Sequence, residues 1–297
     1  MSAPAVDPLA LRRGVLAVSV LDDIPLEPAR DGVRLAVSWA DRATTTVPWF
    51  RLHQALAGAG PMSAVGRLRL RDWLRVRQLL AAEGEAVSRR LLPLAMPAGH
   101  ALHPGRAWVR EAVPGGLLTL GLGLRADDDP TTDATGLLPA PPALALSPSA
   151  VACAGLNDKA WWVPAQQRLD ALALLAVHRE RRDAKGLITP IGGCDVLTLL
   201  GSQLLRKYLA HADGTGLRSV ACPMRSRAWF DLAHIDPAFV MAAAAATDEE
   251  FRGVDRPLLV TVDEVTVADS ATWERFAHMG LREPAAPDPS LRRLHYR

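Results

Sequence analysis

Residues 107–125 read AWVREAVPGGLLTLGLGLR. Two apolar runs flank Pro114-Gly115-Gly116. A short proline–glycine break between such runs predicts a β-hairpin. Gly121 and Gly123 then fall inside the second strand, where glycine marks a bulge or the close approach of another group to the backbone.

Working toward the N-terminus, Val15–Leu21 and Val33–Trp39 are branched-rich runs separated by the turn-rich segment IPLEPARDG, and they read as two strands. Thr46 and Pro48 announce a helix over PWFRLHQALAG that stops at Gly58. A longer helical region runs from about Arg67 to Leu92. Trp73, Val76 and Leu80 share one side of it, and Pro93 and Pro97 end it.

Toward the C-terminus comes DDDPTTDATGLLPAPPALALSP, which begins at Asp127. Acid, then threonine and glycine, then proline is linker or long-loop chemistry. Segment 127–150 therefore separates an N-terminal α+β region, 1–126, from a C-terminal α/β region, 151–297. The alternative is one continuous domain with Leu144 and Leu146 in a buried strand. The second half predicts helices over Pro164–Arg182, Asp195–His211 and Pro237–Phe251, the last with Asp236 as its cap. Strands are predicted over Leu217–Cys222 and Leu258–Val267, and a final helix, capped by Asp269 or Ser270, reaches His278. The fold class is α+β or α/β mixed and two-lobed: strands, helices and a hairpin first, then a helix-rich half with two or three strands.

The chain has 297 residues, 49% hydrophobic and 22% charged, enough for a sizeable core. A formal net charge of +2 supplies no overall attraction to nucleic acid or to a membrane. Three lysines and four isoleucines suit a GC-rich genome of bacterial type, which makes the arginine excess a codon effect. Cys153, Cys194 and Cys222 are odd in number and widely spaced, so neither a disulfide framework nor a zinc site is expected, and no cofactor is predicted. The N-terminal residues lack the order of a signal peptide, and no run reaches the ~18 apolar residues of a membrane span. A soluble, cytoplasmic protein is expected.

Four places carry possible chemistry. Gly192-Gly193-Cys194-Asp195 stands directly before an apolar, helix-like run. A helix N-terminus eases ionisation of a thiol, and glycine N–H groups there can hold an oxyanion. Asp195 opposes that ionisation and is a good N-cap, so a helix start is the simpler reading and a catalytic Cys194 the alternative. LLVTVDE ends in Asp263 and Glu264 and resembles a Walker B strand, but the chain has no G-x-x-x-x-G-K-[ST] loop, which excludes a P-loop NTPase. The two acids remain candidate site carboxylates at a strand end. Arg218, Arg225 and Arg227, with Gly192 and Gly193, form a candidate anion-binding set. Arg67, Arg71 and Arg75 lie at i, i+4 and i+8 in RLRLRDWLRVR, which reads as a solvated amphipathic helix or as a weak nucleic-acid contact over Arg67–Arg77.

Trp161 and Trp162 are adjacent, and neighbouring side chains diverge by about 100° on a helix. One ring is therefore expected to contact another subunit, another protein or the other half of the chain. Together these readings predict a non-catalytic intracellular interaction or assembly protein. It would meet a protein partner, or associate with itself, through Trp161 and Trp162. The alternatives are an enzyme acting on an anionic substrate through the second-half residues, and a weak nucleic-acid binder.

Overall fold

The computed structural model describes residues 7–37, 43–125, 143–183, 185–211, 214–231, 238, 241 and 250–280. Among them are eight helices and three antiparallel sheets, so the fold is mixed α and β. The first described element is a helix, α1 (Pro8–Leu21), where the first of two strands was expected over Val15–Leu21. Asp7 caps it by accepting from Leu9 N at 3.0 Å, and Pro8 occupies the first turn, where a missing N–H costs nothing. The valines at 15, 18 and 20 look like a strand, but Leu11, Val15 and Val18 recur at helical spacing and are the residues that go inside. A three-stranded sheet follows: β1 (Leu26–Pro28), β2 (Gly32–Ala36) and β3 (Thr44–Pro48). Then come α2 (Trp49–Leu56) and α3 (Ala64–Glu83).

Helix α3 stops at Gly84, whose φ of 54° suits glycine, and a 3-10 helix covers 84–90. The expected helix end at Leu91 and Leu92 is instead strand β4 (Leu91–Pro97). The prolines fit because, among the described strands, β4 is an edge strand paired only with β6 (Leu118–Leu124). The N–H of Ala95 points away from β6, to Thr198 Oγ1 at 2.9 Å. Pro93 and Pro97 share its parity, so no ladder hydrogen bond is lost.

The hairpin of 107–125 joins β5 (Glu111–Ala112) to β6. Strand β7 (Leu144–Ala145) pairs with the same side of β6 farther along. Trp108 packs on Gly121, where an added Cβ would stand 2.3 Å from the indole, and its Nε1 donates to Leu122 O at 2.8 Å. The glycine is there to admit the ring. Leu118 and Leu120 of β6 enter one hydrophobic core, while Leu122 and Leu124 enter another. The linker expected over 127–150 lies outside the described residues as far as 142. From Ala143 the chain is β7 and the start of α4 (Pro148–Cys153), with Leu144 and Leu146 buried.

The second half continues with α5 (Trp162–Asp183), β8 (Leu187–Ile188), α6 (Val196–Leu200), α7 (Gln203–His211), β9 (Arg218–Met224) and β10 (Arg227–Trp229). Two short strands, β11 (Leu258–Val260) and β12 (Val265–Val267), and a helix, α8 (Ser270–His278), follow. Its five-stranded sheet has the order β12-β11-β9-β10-β8. Leucines of α5, α6 and α7 share a core with Val220, Cys222 and Val260, and Phe276 of α8 packs with Leu217 and Leu259. The helix expected over Asp195–His211 is two helices, broken at Gly201, where a Cβ would lie 2.7 Å from Leu120. The helix expected over Pro237–Phe251 lies mostly outside the described residues.

Candidate functional site

A cavity of about 230 Å³ lies beside α3. Helix α3 forms because Ser63 caps it, accepting from Gly66 N at 3.0 Å, and because Leu70, Trp73, Leu74 and Val76 fill its inner side. This sets Arg71, Asp72 and Arg75 along the cavity wall. The loop 100–104, the segment 143–149, Arg225 and residues 250–251 complete the lining.

Arg71 is the centre of the wall. Its Nε and Nη2 donate to Asp72 Oδ1 at 2.9 and 2.6 Å, and its Nη1 donates to Glu250 Oε1 at 2.6 Å. Burial by itself would lower the arginine's pKa, but the two carboxylates more than offset this and hold it charged, above the ordinary arginine value. Asp72 responds in the other direction. Burial pushes its carboxyl up to about 6, although Arg71 pulls it down; the charge of Glu250 adds to the rise. Its side chain keeps 23% exposure and lines the cavity. No described residue donates to its Oδ2.

The neighbours are held more rigidly. Arg69 donates to Leu56 O at 2.7 Å and Ala57 O at 3.0 Å, closing the C-terminal end of α2, and to Ala101 O at 2.5 Å. Burial lowers its pKa. Trp73 Nε1 donates to Ser149 Oγ at 2.9 Å, which lies 2.8 Å from Ser147 Oγ. His103 Nδ1 accepts from Gly105 N at 2.9 Å, so Nε2 carries the proton that reaches Thr119 Oγ1, also at 2.9 Å. Burial, then the charge of Arg69, keeps His103 below the usual histidine pKa and therefore neutral at pH 7. Arg75 is the looser cation: among the described residues its one hydrogen bond is to Asp22 O at 3.4 Å. The site thus joins a cation with donors to spare, a carboxyl that titrates near neutrality, and an apolar wall of Leu102, Leu144 and Phe251.

The residues singled out from sequence are spread more widely. Gly192 and Gly193, at φ of 59° and 82°, make a two-residue turn in which Ile191 and Cys194 exchange both backbone hydrogen bonds. Leu172 and Leu92 pack against these glycines, so a Cβ at Gly192 would lie 2.4 Å from Leu172. Cys194 is buried in the core at 1% exposure. Asp195 caps α6 through Thr198 N at 2.8 Å and binds Arg225 Nη2 at 2.5 Å. Arg225 also donates to Ala95 O at 2.7 Å. Arg218 lies over the Phe230 ring at 5.4 Å, and Arg227 is on β10. Of this second-half set only Arg225 reaches the cavity.

Asp263 and Glu264 do not end a long strand. They form the turn between β11 and β12, where Thr261 Oγ1 accepts from both of their amides, at 3.3 and 3.1 Å. The sheet is antiparallel, so the rule that ligands collect at the carboxyl ends of parallel strands does not apply. Glu264 pairs with Arg275 at 3.1 Å. Trp161 is buried in one core, and Trp162, half-buried, packs against both. The arginine stripe of α3 also turns inward: Arg71 is buried, and Arg67 stands 3.6 Å from Asp22. Asp72, Glu250 and Ser149 were not singled out from sequence. Among the described residues no group of three or more His, Cys, Asp or Glu side chains is placed to hold a metal ion. No described helix is long and apolar enough to cross a membrane. Comparison with family models, curated proteins and solved structures finds no match to this chain.

Proposed function

We propose that this chain is a non-catalytic interaction protein that recognises the anionic group of a small ligand in the α3 cavity. The observation that carries the reading is Arg75. It lines a partly apolar cavity beside two arginines already held by carboxylates, Arg71 and Arg225, and among the described residues has only one long hydrogen bond of its own. A carboxylate or phosphate would complete its donor set. The reading places the protein in a reducing cytoplasm, in keeping with its three free cysteines. It also keeps a protein partner or second copy at the Trp161–Trp162 corner, where Val163 is 59% exposed beside the half-buried Trp162.

The test is thermal melting with monocarboxylates, dicarboxylates and inorganic phosphate. A ligand at ten times its Kd adds about 1.4 kcal/mol to stability. The melting temperature is expected to rise with at least one anion, and the rise to vanish in Arg75→Gln. No rise with any of them, or one that survives the substitution, overturns the reading.

One observation favours the rival, an enzyme acting on an anionic substrate. Asp72 titrates at about 6 in the same cavity, a value suited to general acid–base work. That enzyme would work from α3, with Arg225 as its only link to Cys194, Asp263 and the other second-half residues. Turnover of a bound anion, abolished in Asp72→Asn with binding retained, would establish it.

A further inference from the structure

A second concave surface lies beside α1, a groove of about 450 Å³ between α1 and the β1–β2 hairpin. Its floor is Val15, Leu26 and Val33, and its end is Trp49. Among the described residues two arginines, Arg12 and Arg30, line it, and no acid does. Arg12 lies over the Trp49 ring at 5.4 Å, while the Trp49 Nε1–H is buried without an acceptor. Neither arginine has an ion-pair partner among the described residues. Leu16 belongs both to this groove and to the outer side of α1. Leu9, Leu16 and Val20 are 53, 43 and 81% exposed there and form one stripe opposite the buried Leu11, Val15 and Val18. A helix apolar on both sides has its outer side covered in the working assembly.

We infer that the α1 groove docks an acidic amphipathic helix of a partner protein. The apolar stripe from Leu9 to Val20 extends for about 16 Å along the axis, longer than a small ligand and matched to a helix of three to four turns. The paired arginines with no acid in the lining select negative flanks on that helix. A second copy of this chain does not fit, because its own α1 would bring Arg12 and Arg13 against the same cations. A flat membrane surface does not fill a concave groove whose far wall is the β1–β2 hairpin. The site is separate from the α3 cavity, so either proposal can fail without the other.

The experiment measures fluorescence anisotropy of a labelled 14-residue helical peptide with leucines at i, i+4, i+7 and i+11 and glutamates on both flanks. A control carries lysine at each glutamate. The full chain should bind the glutamate peptide saturably and the lysine peptide about tenfold more weakly. Arg30→Glu, at an exposed position that leaves the fold intact, should reverse the order of the two peptides, and Leu16→Asp should abolish both. Equal binding of the two peptides, indifference to Arg30→Glu, or no saturation at millimolar protein overturns the proposal. So does tighter binding to vesicles of anionic lipid that is lost in the same variants, which would make α1 a membrane-surface helix.

Discussion

Arg71 and Arg225 are both buried arginines facing carboxylates on the same cavity, and the two clusters are built differently. Around Arg225 both oxygens of the one carboxylate are occupied. Asp195 uses Oδ1 to cap α6 and Oδ2 to hold Arg225 through Nε at 3.1 Å and Nη2 at 2.5 Å, and the remaining reach of Nη2 goes to Ala95 O. This cluster ties the outer edge of β4 to α6 and to the β9–β10 turn. Around Arg71 there is one cation for two acids, and both bonds to Asp72 land on the same oxygen. The result is a carboxyl near 6 that lines open space. The same residue types make a rivet in one place and a titratable wall in the other, and the difference is how completely the hydrogen bonds close.

The sharpest break of this comparison is Asp195→Ala. It leaves the Arg225 guanidinium buried without its counter-ion and removes the cap of α6. The expected loss is about 3–5 kcal/mol, measured by urea denaturation, and a loss below about 1 kcal/mol would show that the cluster is not a rivet. Arg225→Ala should be as damaging. The double variant should cost less than the sum, since each single change strands a charge that the double does not.

The Arg71 cluster should behave more softly and depend on pH. The folded pKa of Asp72, about 6, lies above the ordinary aspartate value of about 3.9. The folded state therefore keeps a proton through a range where the unfolded chain has lost it. Its contribution is fully present below about pH 4 and is lost as pH rises through 6, a change of at most about 3 kcal/mol. Stability curves of the parent and of Asp72→Asn should converge in their pH dependence below pH 4, and the difference between them should shift across 4–6 in the variant's favour. Arg71→Met should lose about 2–3 kcal/mol at pH 8 and clearly less at pH 5, where Asp72 can take a proton. A flat difference curve would place Asp72 among ordinary aspartates.

The same contrast explains what could be read from the chain alone. The hairpin at Pro114-Gly115-Gly116 was legible because turn chemistry is local, and α5 because Leu169, Leu172 and Ala176 recur at helical spacing. Helix α1 was hidden by its valines, which favour strands intrinsically but are overruled by the core they share with α3. Strand β4 was hidden by its prolines, which are harmful only where an N–H must face a neighbouring strand. The β11–β12 turn has no glycine or proline to announce it, because Thr261 supplies the turn from its hydroxyl. In the candidate site, Arg71 and Arg75 were visible as part of the stripe with Arg67 on one predicted helix, and Trp73 on its apolar side. Asp72 was concealed between charges of opposite sign. Glu250, 179 positions from Arg71, is joined to it only by the fold.

The smallest effect expected is the most direct probe of the open cluster. Arg75 lies close enough to lower the Asp72 pKa, though it is the last and weakest of the influences on it. Its own hydrogen bond, 3.4 Å to Asp22 O, is too long to hold much stability. Arg75→Gln should therefore change folding stability by less than about 0.5 kcal/mol, as for a surface substitution. It should still remove a nearby positive charge, so the Asp72 carboxyl must titrate at a higher pH than in the parent. Carboxyl carbon NMR through a pH titration would follow that one group, and the expected displacement is upward by a few tenths of a pH unit. A downward displacement, or none, would mean that Arg75 points away from Asp72 in solution. The cavity would then lose the one cation proposed to receive a ligand.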